Sequence, residues 1–187
     1  MTQDLHVTIR TFRETDWEKV WGIIRPVFAE GEYYMFDPDI NQDEAYKAWI
    51  TAPKETFVAV DSNGDPIATY YIKPNQPTLG AHICNCGYIV SESARGKGLA
   101  RSLCEHSCIQ AKKMGFRGMQ FNAVVSTNTV AVNLWLSLGF KKIGVIPDGF
   151  RSRKFGYVDI LIMYQGCETP PHIVASSIDR EQHAETD

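Results

Sequence analysis

The residues best suited to chemistry form a basic, glycine-bearing turn at residues 95–101, between an apolar strand and a helix. Glycine lets the backbone approach a ligand without the clash of a Cβ atom. The first turn of a helix carries N–H groups that have no carbonyl partner, and it carries the positive end of the helix dipole. Arg95, Lys97 and Arg101 add positive charge. The segment therefore predicts an anion site of the kind that binds a pyrophosphate.

Two other phosphate-binding motifs fit this turn less well. A Walker loop needs the pattern G-x-x-x-x-G-K-[ST], and a dinucleotide fingerprint needs a third glycine where this chain has Arg101. A plain strand–helix turn with solvated basic side chains is the alternative.

A second pattern follows the next strand, where residues 128–140 fit N-x-x-A-x-x-L-W-x-x-L-G-F. The turn itself fits [QR]-x-x-G-x-[GA] over residues 95–100. In this order the two patterns resemble the GNAT superfamily of acyl-CoA-dependent N-acyltransferases. Residues 9–16 also look like the first strand and helix of that family, and the resemblance extends to residue 164.

The resemblance implies two central strands that splay apart, with the co-substrate acetyl-CoA in the gap between them. It implies that backbone groups of Tyr88, Ile89 and Val90 face the pantetheine and the acetyl carbonyl, and that Asn128 bonds to the pantetheine arm. The implied pyrophosphate ligands are the amides of Arg95, Gly96, Lys97, Gly98, Leu99 and Ala100, with Arg101 close by. A neutral amine would attack the thioester directly, and a backbone N–H would stabilise the charge that develops on the carbonyl oxygen.

Two departures from the family pattern concern proton transfer. Many members have a tyrosine on the last helix that protonates the leaving thiolate. This chain has Trp135, whose indole N–H donates a hydrogen bond but is no useful acid at neutral pH. Trp135 is expected either to contact the coenzyme near its sulfur or to pack in the core. Many members also carry a glutamate in the strand that corresponds to residues 82–90, and this strand has none.

Two asparagines, Asn85 and Asn122, are the remaining candidates for the catalytic centre. They are expected on neighbouring strands across the gap, where their amides would orient an amine or a carboxylate. Fungal acetyltransferases of proline analogues look similar in having asparagines on these two strands. The alternative is that both amides satisfy the backbone of a bulge or turn. His82 is expected at the surface, and a water relay would need no dedicated base.

An acidic and aromatic segment is predicted to bind the acceptor. In the family, the loop between the first two helices covers the acceptor site. The resemblance therefore makes Glu32, Tyr33, Tyr34 and Phe36 the predicted substrate-binding residues. The alternative is a solvated acidic loop whose aromatic rings are anchored in the core.

The elements that must position these residues alternate along the chain. A strand near residues 7–12 precedes an amphipathic helix, for which Asp16 is the expected N-cap. Strands at residues 56–60 and 67–72 flank an Asn-Gly turn and predict an antiparallel hairpin, and a later strand–helix–strand unit predicts a crossover. The fold class is therefore α/β (α+β), with a mixed, mainly antiparallel sheet flanked by helices. One domain is expected over residues 1–165, followed by a polar tail over residues 166–187.

Composition excludes several other classes of protein. The 187 residues include 19 basic and 22 acidic ones and carry a formal net charge of −3, which disfavours a general nucleic-acid partner. No apolar run approaches the roughly 20 residues of a spanning helix, so no membrane partner is expected. The first residues lack the apolar core of a signal peptide. Five cysteines without framework spacing predict free thiols, no metal site and a cytoplasmic location.

These features predict an acetyl-CoA-dependent N-acetyltransferase that acts on a primary or secondary amine of a small molecule, such as an amino acid or an analogue. The alternatives are a protein or peptide N-acetyltransferase and a non-catalytic acyl-CoA-binding sensor. Family members are often homodimers, and Ile173, Val174 and Ile178 in the tail are one candidate dimer contact.

Overall fold

Seven strands and four helices organise residues 7–167, the part of the chain that this computed structural model describes. The tail residues Ile173, Val174 and Ile178 lie outside the described residues. In chain order the elements are β1 (Thr8–Thr11), α1 (Trp17–Glu30), α2 (Gln42–Tyr46, extended by a π-helical turn at Lys47–Thr51), β2 (Glu55–Val60), β3 (Pro66–Pro74), β4 (Ile83–Val90), α3 (Leu99–Lys113), β5 (Gly118–Val125), α4 (Thr129–Ser137), β6 (Lys141–Ser152) and β7 (Gly156–Gly166).

The strands form one mixed sheet in the order β1-β2-β3-β4-β5-β7-β6. All neighbours are antiparallel except β4 and β5, which are parallel and are joined by the crossover through α3. The Asn-Gly turn forms as expected, with Gly64 at a φ of +83° between β2 and β3. The predicted fold class is confirmed.

The parallel pair β4 and β5 separates soon after it begins. Its only register pairs are Ile83 with Gly118 and Cys84 with Met119. Farther along β5, a bulge places Asn122 and Ala123 opposite a single residue of β7. Because a bulge bends the strand that carries it, the bulge accompanies the divergence of β5 from β4. The predicted splay of the central strands is therefore present.

Each face of the sheet has its own apolar core, because side chains alternate between the two faces along a strand. Tyr70 packs beneath α3 with Leu103 and Cys104, whereas its neighbour Tyr71 packs on the opposite face with α1 and with Trp49. Within residues 7–167, no helix is long and apolar enough to cross a membrane.

The start of α1 differs from the expectation for Asp16. A short 3-10 turn, Glu14–Asp16, precedes the helix, and the Asp16 side chain makes no capping bond to α1. The carboxylate instead accepts from the Arg13 N–H at 2.8 Å and from the Arg10 guanidinium at 2.7 and 2.8 Å. Asp16 is buried, and the Arg10 hydrogen bond holds the pKa of its carboxyl below the ordinary value.

Strand β6 is longer than its sequence pattern predicts. The pattern ends before Pro147, but pairing with β7 resumes at Phe150 after a shift in register. Asp148 accommodates this irregularity with a φ of +51°, and its N–H donates to the Asp159 carboxylate at 3.1 Å. The resulting hairpin brings its turn, residues 153–155, back to the end of α1.

Candidate functional site

A cleft of about 450 Å³ opens where β4 and β5 separate. The loop after α1 closes one side, β4 and β5 form the walls, and α4 and Arg95, the first residue of the glycine turn, complete it. Among the lining residues are Tyr33, Tyr34, Phe36, Tyr71, Asn85, Tyr88, Val90, Arg95, Asn122, Asn128 and Trp135.

The backbone of β4 alternates in direction along this cleft. The Ile83 carbonyl accepts from the Asn75 N–H, and the Ser91 N–H donates to the Ile67 carbonyl. The backbone groups of odd-numbered β4 residues are therefore directed to β3. The backbone groups of Tyr88 and Val90 therefore face the gap, whereas those of Ile89 are directed to β3. This corrects the expectation for Ile89, whose side chain packs in the core beneath α1.

The glycine turn leads directly into the N-terminus of α3. Gly96 and Gly98 both have a φ of +76°, a conformation that favours glycine. The Arg95 N–H donates to the Glu92 carbonyl at 3.3 Å, which leaves it less available to an anion than the amides that follow. The amides at the helix N-terminus begin at Gly96, in a position suited to an anion.

Basic side chains surround this helix terminus. Lys97 folds back so that its Nζ donates to the Ser93 carbonyl at 3.1 Å. Arg101 reaches across to α4, where its guanidinium donates to Ser137 Oγ at 2.8 Å. Arg95 lines the cleft itself. Three positive charges therefore lie around the terminus, and they reinforce the attraction of the helix dipole for an anion.

Helix α4 contributes Asn128 and Trp135 to the cleft. The Asn128 side-chain oxygen caps the helix by accepting from the Ala131 N–H at 3.3 Å. The Trp135 ring is 7% exposed, with its centroid 5.1 Å from those of both Tyr88 and Phe121. Both expectations for Trp135 are therefore compatible with its position, since it packs in the core and also borders the gap.

The phenol of Tyr88 does not supply the acid that the sequence lacks. Its hydroxyl lies beneath α3, where it bonds with Ser107 Oγ at 2.7 Å and with the Met119 sulfur at 3.4 Å. Burial raises the pKa of Tyr88 well above its ordinary value. Only the backbone of this residue serves the gap.

The side chain of Asn85 joins the two strands at the apex of the gap. Its Nδ2 donates to the Gln120 carbonyl at 2.9 Å, and its Oδ1 accepts from the Tyr71 hydroxyl at 3.3 Å. Asn85 and Gln120 each directly follow the last residue at which β4 and β5 pair with each other. This geometry favours the alternative expectation, in which the amide satisfies backbone groups.

Asn122 lies within the bulge of β5 and is exposed at the cleft. Its side-chain oxygen accepts from Gln120 Nε2 at 2.9 Å, and its nitrogen donates to the Asn75 side chain. These partners are polar side chains at the surface, which a ligand can displace more readily than backbone partners in a core. His82 is exposed, as expected.

The loop after α1 places three of its four predicted substrate-binding residues in the cleft: Tyr33, Tyr34 and Phe36. The Tyr34 hydroxyl donates to the Tyr88 carbonyl at 2.8 Å, inside the gap. Burial raises the pKa of Tyr34 far above its ordinary value. The expectation for Glu32 is wrong, because its carboxylate accepts from Ser152 and from the Lys154 N–H of the β6–β7 turn instead of lining the cleft.

Sequence reasoning missed Tyr71, Gly87 and Gln120, all of which support the apex of the gap. The available signal was Gly87, since a glycine inside a strand often marks a close approach. Between residues 7 and 167, no cluster of His, Cys, Asp and Glu side chains is arranged to hold a metal ion.

Comparison with known proteins identifies a family and curated relatives of this chain. Residues 17–140 match the Acetyltransferase (GNAT) family. N-acetyltransferase aca1 of Schizosaccharomyces pombe is 38% identical over 112 residues, which are 59% of this chain and 54% of that protein. Protein SPT10 of Saccharomyces cerevisiae is 29% identical over 82 residues, 44% of this chain and 13% of that protein. The matched part of this chain thus spans about half the length of the first relative and a small part of the second.

Many solved structures share the fold. A GCN5-related N-acetyltransferase from Kribbella flavida is 38% identical and superposes with a TM-score of 0.81 over 86% of this chain and 97% of that one. A GNAT superfamily phosphinothricin acetyltransferase from Sinorhizobium meliloti, in complex with AcCoA, is 19% identical. It has a TM-score of 0.76 over 91% of this chain and 96% of that one.

Proposed function

Since the chain belongs to the acetyltransferase (GNAT) family, we propose that it transfers the acetyl group of acetyl-CoA to a primary or secondary amine of a small molecule. The observation that carries the proposal is the continuous cleft between β4 and β5. Arg95, which precedes the N-terminus of α3, lines one part of it, and the aromatic residues of the loop after α1 line another.

The residues around the gap fit the parts of acetyl-CoA. The amides of Gly96, Lys97, Gly98, Leu99 and Ala100 would bind the pyrophosphate, with charge from Arg95, Lys97 and Arg101. The backbone groups of Tyr88 and Val90 point into the gap and would pair with the amides of the pantetheine arm. Among the described residues, no hydrogen bond engages the side-chain nitrogen of Asn128, so it is able to donate to the same arm.

The chemistry needs an ordered ternary arrangement rather than a covalent enzyme intermediate. The acceptor nitrogen attacks the thioester carbonyl, the carbon–sulfur bond breaks, and the thiolate leaves with the coenzyme. A β4 N–H at Tyr88 or Val90 would stabilise the oxyanion. Holding both substrates in line removes much of the entropic barrier. Water would carry the protons, since Trp135 is no acid and Tyr34 and Tyr71 have raised pKa values.

We infer a small acceptor because the cleft has to hold more than the acceptor. Its volume of about 450 Å³ would be shared with the pantetheine arm, which limits the space left for the amine. The rings of Tyr33, Tyr34 and Phe36 border one side of this volume, and Asn122 offers an exposed amide that would orient the acceptor. A peptide acceptor would require an open groove beside these rings.

The test is acetyl transfer by the purified full chain. Thiol release from acetyl-CoA would be followed with a panel of amino acids, amino acid analogues, simple amines and N-terminal peptides. We expect turnover with at least one small amine. Turnover with peptides alone would support the protein acetyltransferase alternative. Calorimetric binding of acetyl-CoA without transfer to any amine would support the sensor alternative.

Asn122→Ala gives this proposal a residue-level test. We expect the Michaelis constant for the amine to rise about tenfold, because the variant loses one neutral hydrogen bond to the acceptor. The Michaelis constant for acetyl-CoA should change by less than about twofold. Equal increases in both constants would contradict the role of Asn122 at the acceptor.

The cellular location is part of the same proposal. The five cysteines, Cys84, Cys86, Cys104, Cys108 and Cys167, are free thiols in the fold. Free thiols are typical of a reducing compartment, which supports a cytoplasmic location.

A further inference from the structure

The turn of the β6–β7 hairpin is fastened to the end of α1 by three hydrogen bonds. The Glu32 carboxylate accepts from Ser152 Oγ at 2.6 Å and from the Lys154 N–H at 2.9 Å. The Arg153 guanidinium donates to the Ala29 carbonyl at 3.0 Å. These bonds join segments that lie more than 100 residues apart in the chain, and we call them the hairpin clasp.

The clasp is closely fitted on both sides. Ser152 is buried, and its hydroxyl oxygen also accepts from the backbone N–H groups of Lys154 and Phe155 at 3.1 and 2.8 Å. On the other side, Gly31 has a φ of +67°, and a Cβ built there would lie 2.9 Å from Arg153 Cδ. The Arg153 stem therefore occupies the space that any side chain at position 31 would need.

Glu32 is followed directly by the aromatic residues of the cleft. Tyr33 and Tyr34 both line the cleft, and the Tyr34 hydroxyl reaches the Tyr88 carbonyl at 2.8 Å. The Tyr34 ring also packs edge-on against Phe28, with centroids 5.6 Å apart. This short segment is thus fixed at Glu32 on the outside and at Tyr34 on the inside, which leaves Tyr33 held between the two attachments.

We propose that Glu32 is a positioning residue for the acceptor: through the hairpin clasp it holds Tyr33 and Tyr34 where they limit which amines enter the cleft. Glu32 touches no reacting atom and acts through its neighbours in the chain. This inference rests on the proposed function. A clasp with a merely structural role would stabilise the fold without affecting the choice of amine.

Glu32→Ala tests the inference, with Glu32→Gln as the conservative variant. In the alanine variant we expect the Michaelis constant for the preferred amine to rise about tenfold, and the preference to shift toward bulkier amines. The acetyl-CoA dissociation constant, measured by calorimetry, should stay within about twofold, because the α3 terminus is untouched. Glu32→Gln should restore most of the wild-type selectivity, since its amide oxygen still accepts from the Lys154 N–H.

Glu18→Ala is the matched control. Glu18 is an exposed glutamate of α1 that accepts from the Gln42 side chain at 3.0 Å and does not line the cleft. We expect this variant to have the same Michaelis constants for amines as the unmodified chain. Unchanged amine selectivity in folded Glu32→Ala, or an equal loss in Glu18→Ala, would overturn the proposed positioning role.

Hydrogen exchange separates this inference from the proposed function. Backbone amides of residues 33–36 should exchange about tenfold faster in Glu32→Ala and at an unchanged rate in Glu18→Ala. If the unmodified chain transfers acetyl groups to no amine, the proposed function fails, while the exchange rates still decide whether Glu32 holds the segment. Unaltered exchange at residues 33–36 would overturn the positioning role by itself.

Discussion

Gly87, in the middle of β4, provides the sharpest test of the packing at the apex of the gap. A Cβ built at this residue would lie 2.7 Å from Tyr71 Cε1 and 3.0 Å from Cζ. Because unstrained carbon contacts are about 3.5–4.0 Å, Gly87→Ala must displace the ring. The Tyr71 ring is 7% exposed and packs edge-on against Trp49 with centroids 4.8 Å apart, so the core offers little space for that movement.

The expected change in stability follows from three effects. Overpacking a filled core costs about 1–3 kcal/mol. Weakening the Tyr71 hydrogen bond to Asn85 removes a contribution of about 1 kcal/mol. The lower chain entropy of unfolded alanine offsets about 0.5–1 kcal/mol. We therefore expect Gly87→Ala to lower the free energy of unfolding by about 2 kcal/mol.

Urea denaturation measures this change, and Gly22→Ala is its matched control. Gly22 is exposed within α1, and a Cβ there would meet no atom within 4 Å. The same substitution should therefore raise the free energy of unfolding by about 0.5–1 kcal/mol, because alanine favours a helix. The two substitutions are chemically identical, so opposite signs would isolate the effect of the Tyr71 ring.

A double variant identifies the clashing group. In a Tyr71→Leu background, which lacks the ring atoms nearest Gly87, the loss caused by Gly87→Ala should shrink below about 0.5 kcal/mol. The reasoning would be refuted by a stabilising Gly87→Ala, or by a loss of equal size with and without the Tyr71 ring.

Two further predictions concern charge. Gly98→Glu should raise the Michaelis constant for acetyl-CoA at least about tenfold, because it places a carboxylate at the positive end of α3. Gly64→Glu, at a similarly positive φ in the β2–β3 turn, should leave that constant unchanged, and no difference between the two would contradict the assigned pyrophosphate site. Asp16→Asn should lower the free energy of unfolding at neutral pH by about 1.5–3 kcal/mol, since Arg10 loses a charged partner. Because the folded state lowers the pKa of Asp16, this contribution is present above the unfolded pKa of about 3.9 and is lost as pH falls through the folded value. Urea denaturation should show the difference in unfolding free energy between the two proteins narrowing as the pH falls below about 3.9, and a difference that does not narrow in acid would contradict the assignment.

Features with local signals were predictable from the sequence. The Asn-Gly turn predicts the hairpin. A glycine at position 115 predicts the end of the preceding helix, and Gly115 follows α3 with a φ of +84°. The basic turn at residues 95–101 is likewise local, because its glycines and the following helix are contiguous. The hydrogen bond of the Arg95 amide to the Glu92 carbonyl of the preceding short turn has no such local signal.

The partners of isolated polar residues were not predictable in the same way. Glu32 belongs to an acidic segment. Nothing in that segment indicates that its carboxylate would accept a hydrogen bond from a serine 120 residues away. Alternation along the strand predicts Asn85 on the face opposite Cys84 and Cys86, and the structure has it there. Its bonds to Tyr71 and Gln120, however, depend on where two distant strands stop pairing, which is a property of tertiary structure.

The two-pair contact between β4 and β5 divides the sheet into two blocks, β1 to β4 and β5 to β7, that share a seam closed at one end only. Each other pair of adjoining strands is joined by four or more register pairs, whereas a ligand bound in this opening would supply contacts that β4 and β5 do not make with each other. The midpoint temperature of thermal unfolding should therefore rise with the concentration of acetyl-CoA, as expected for any ligand that binds only the native state.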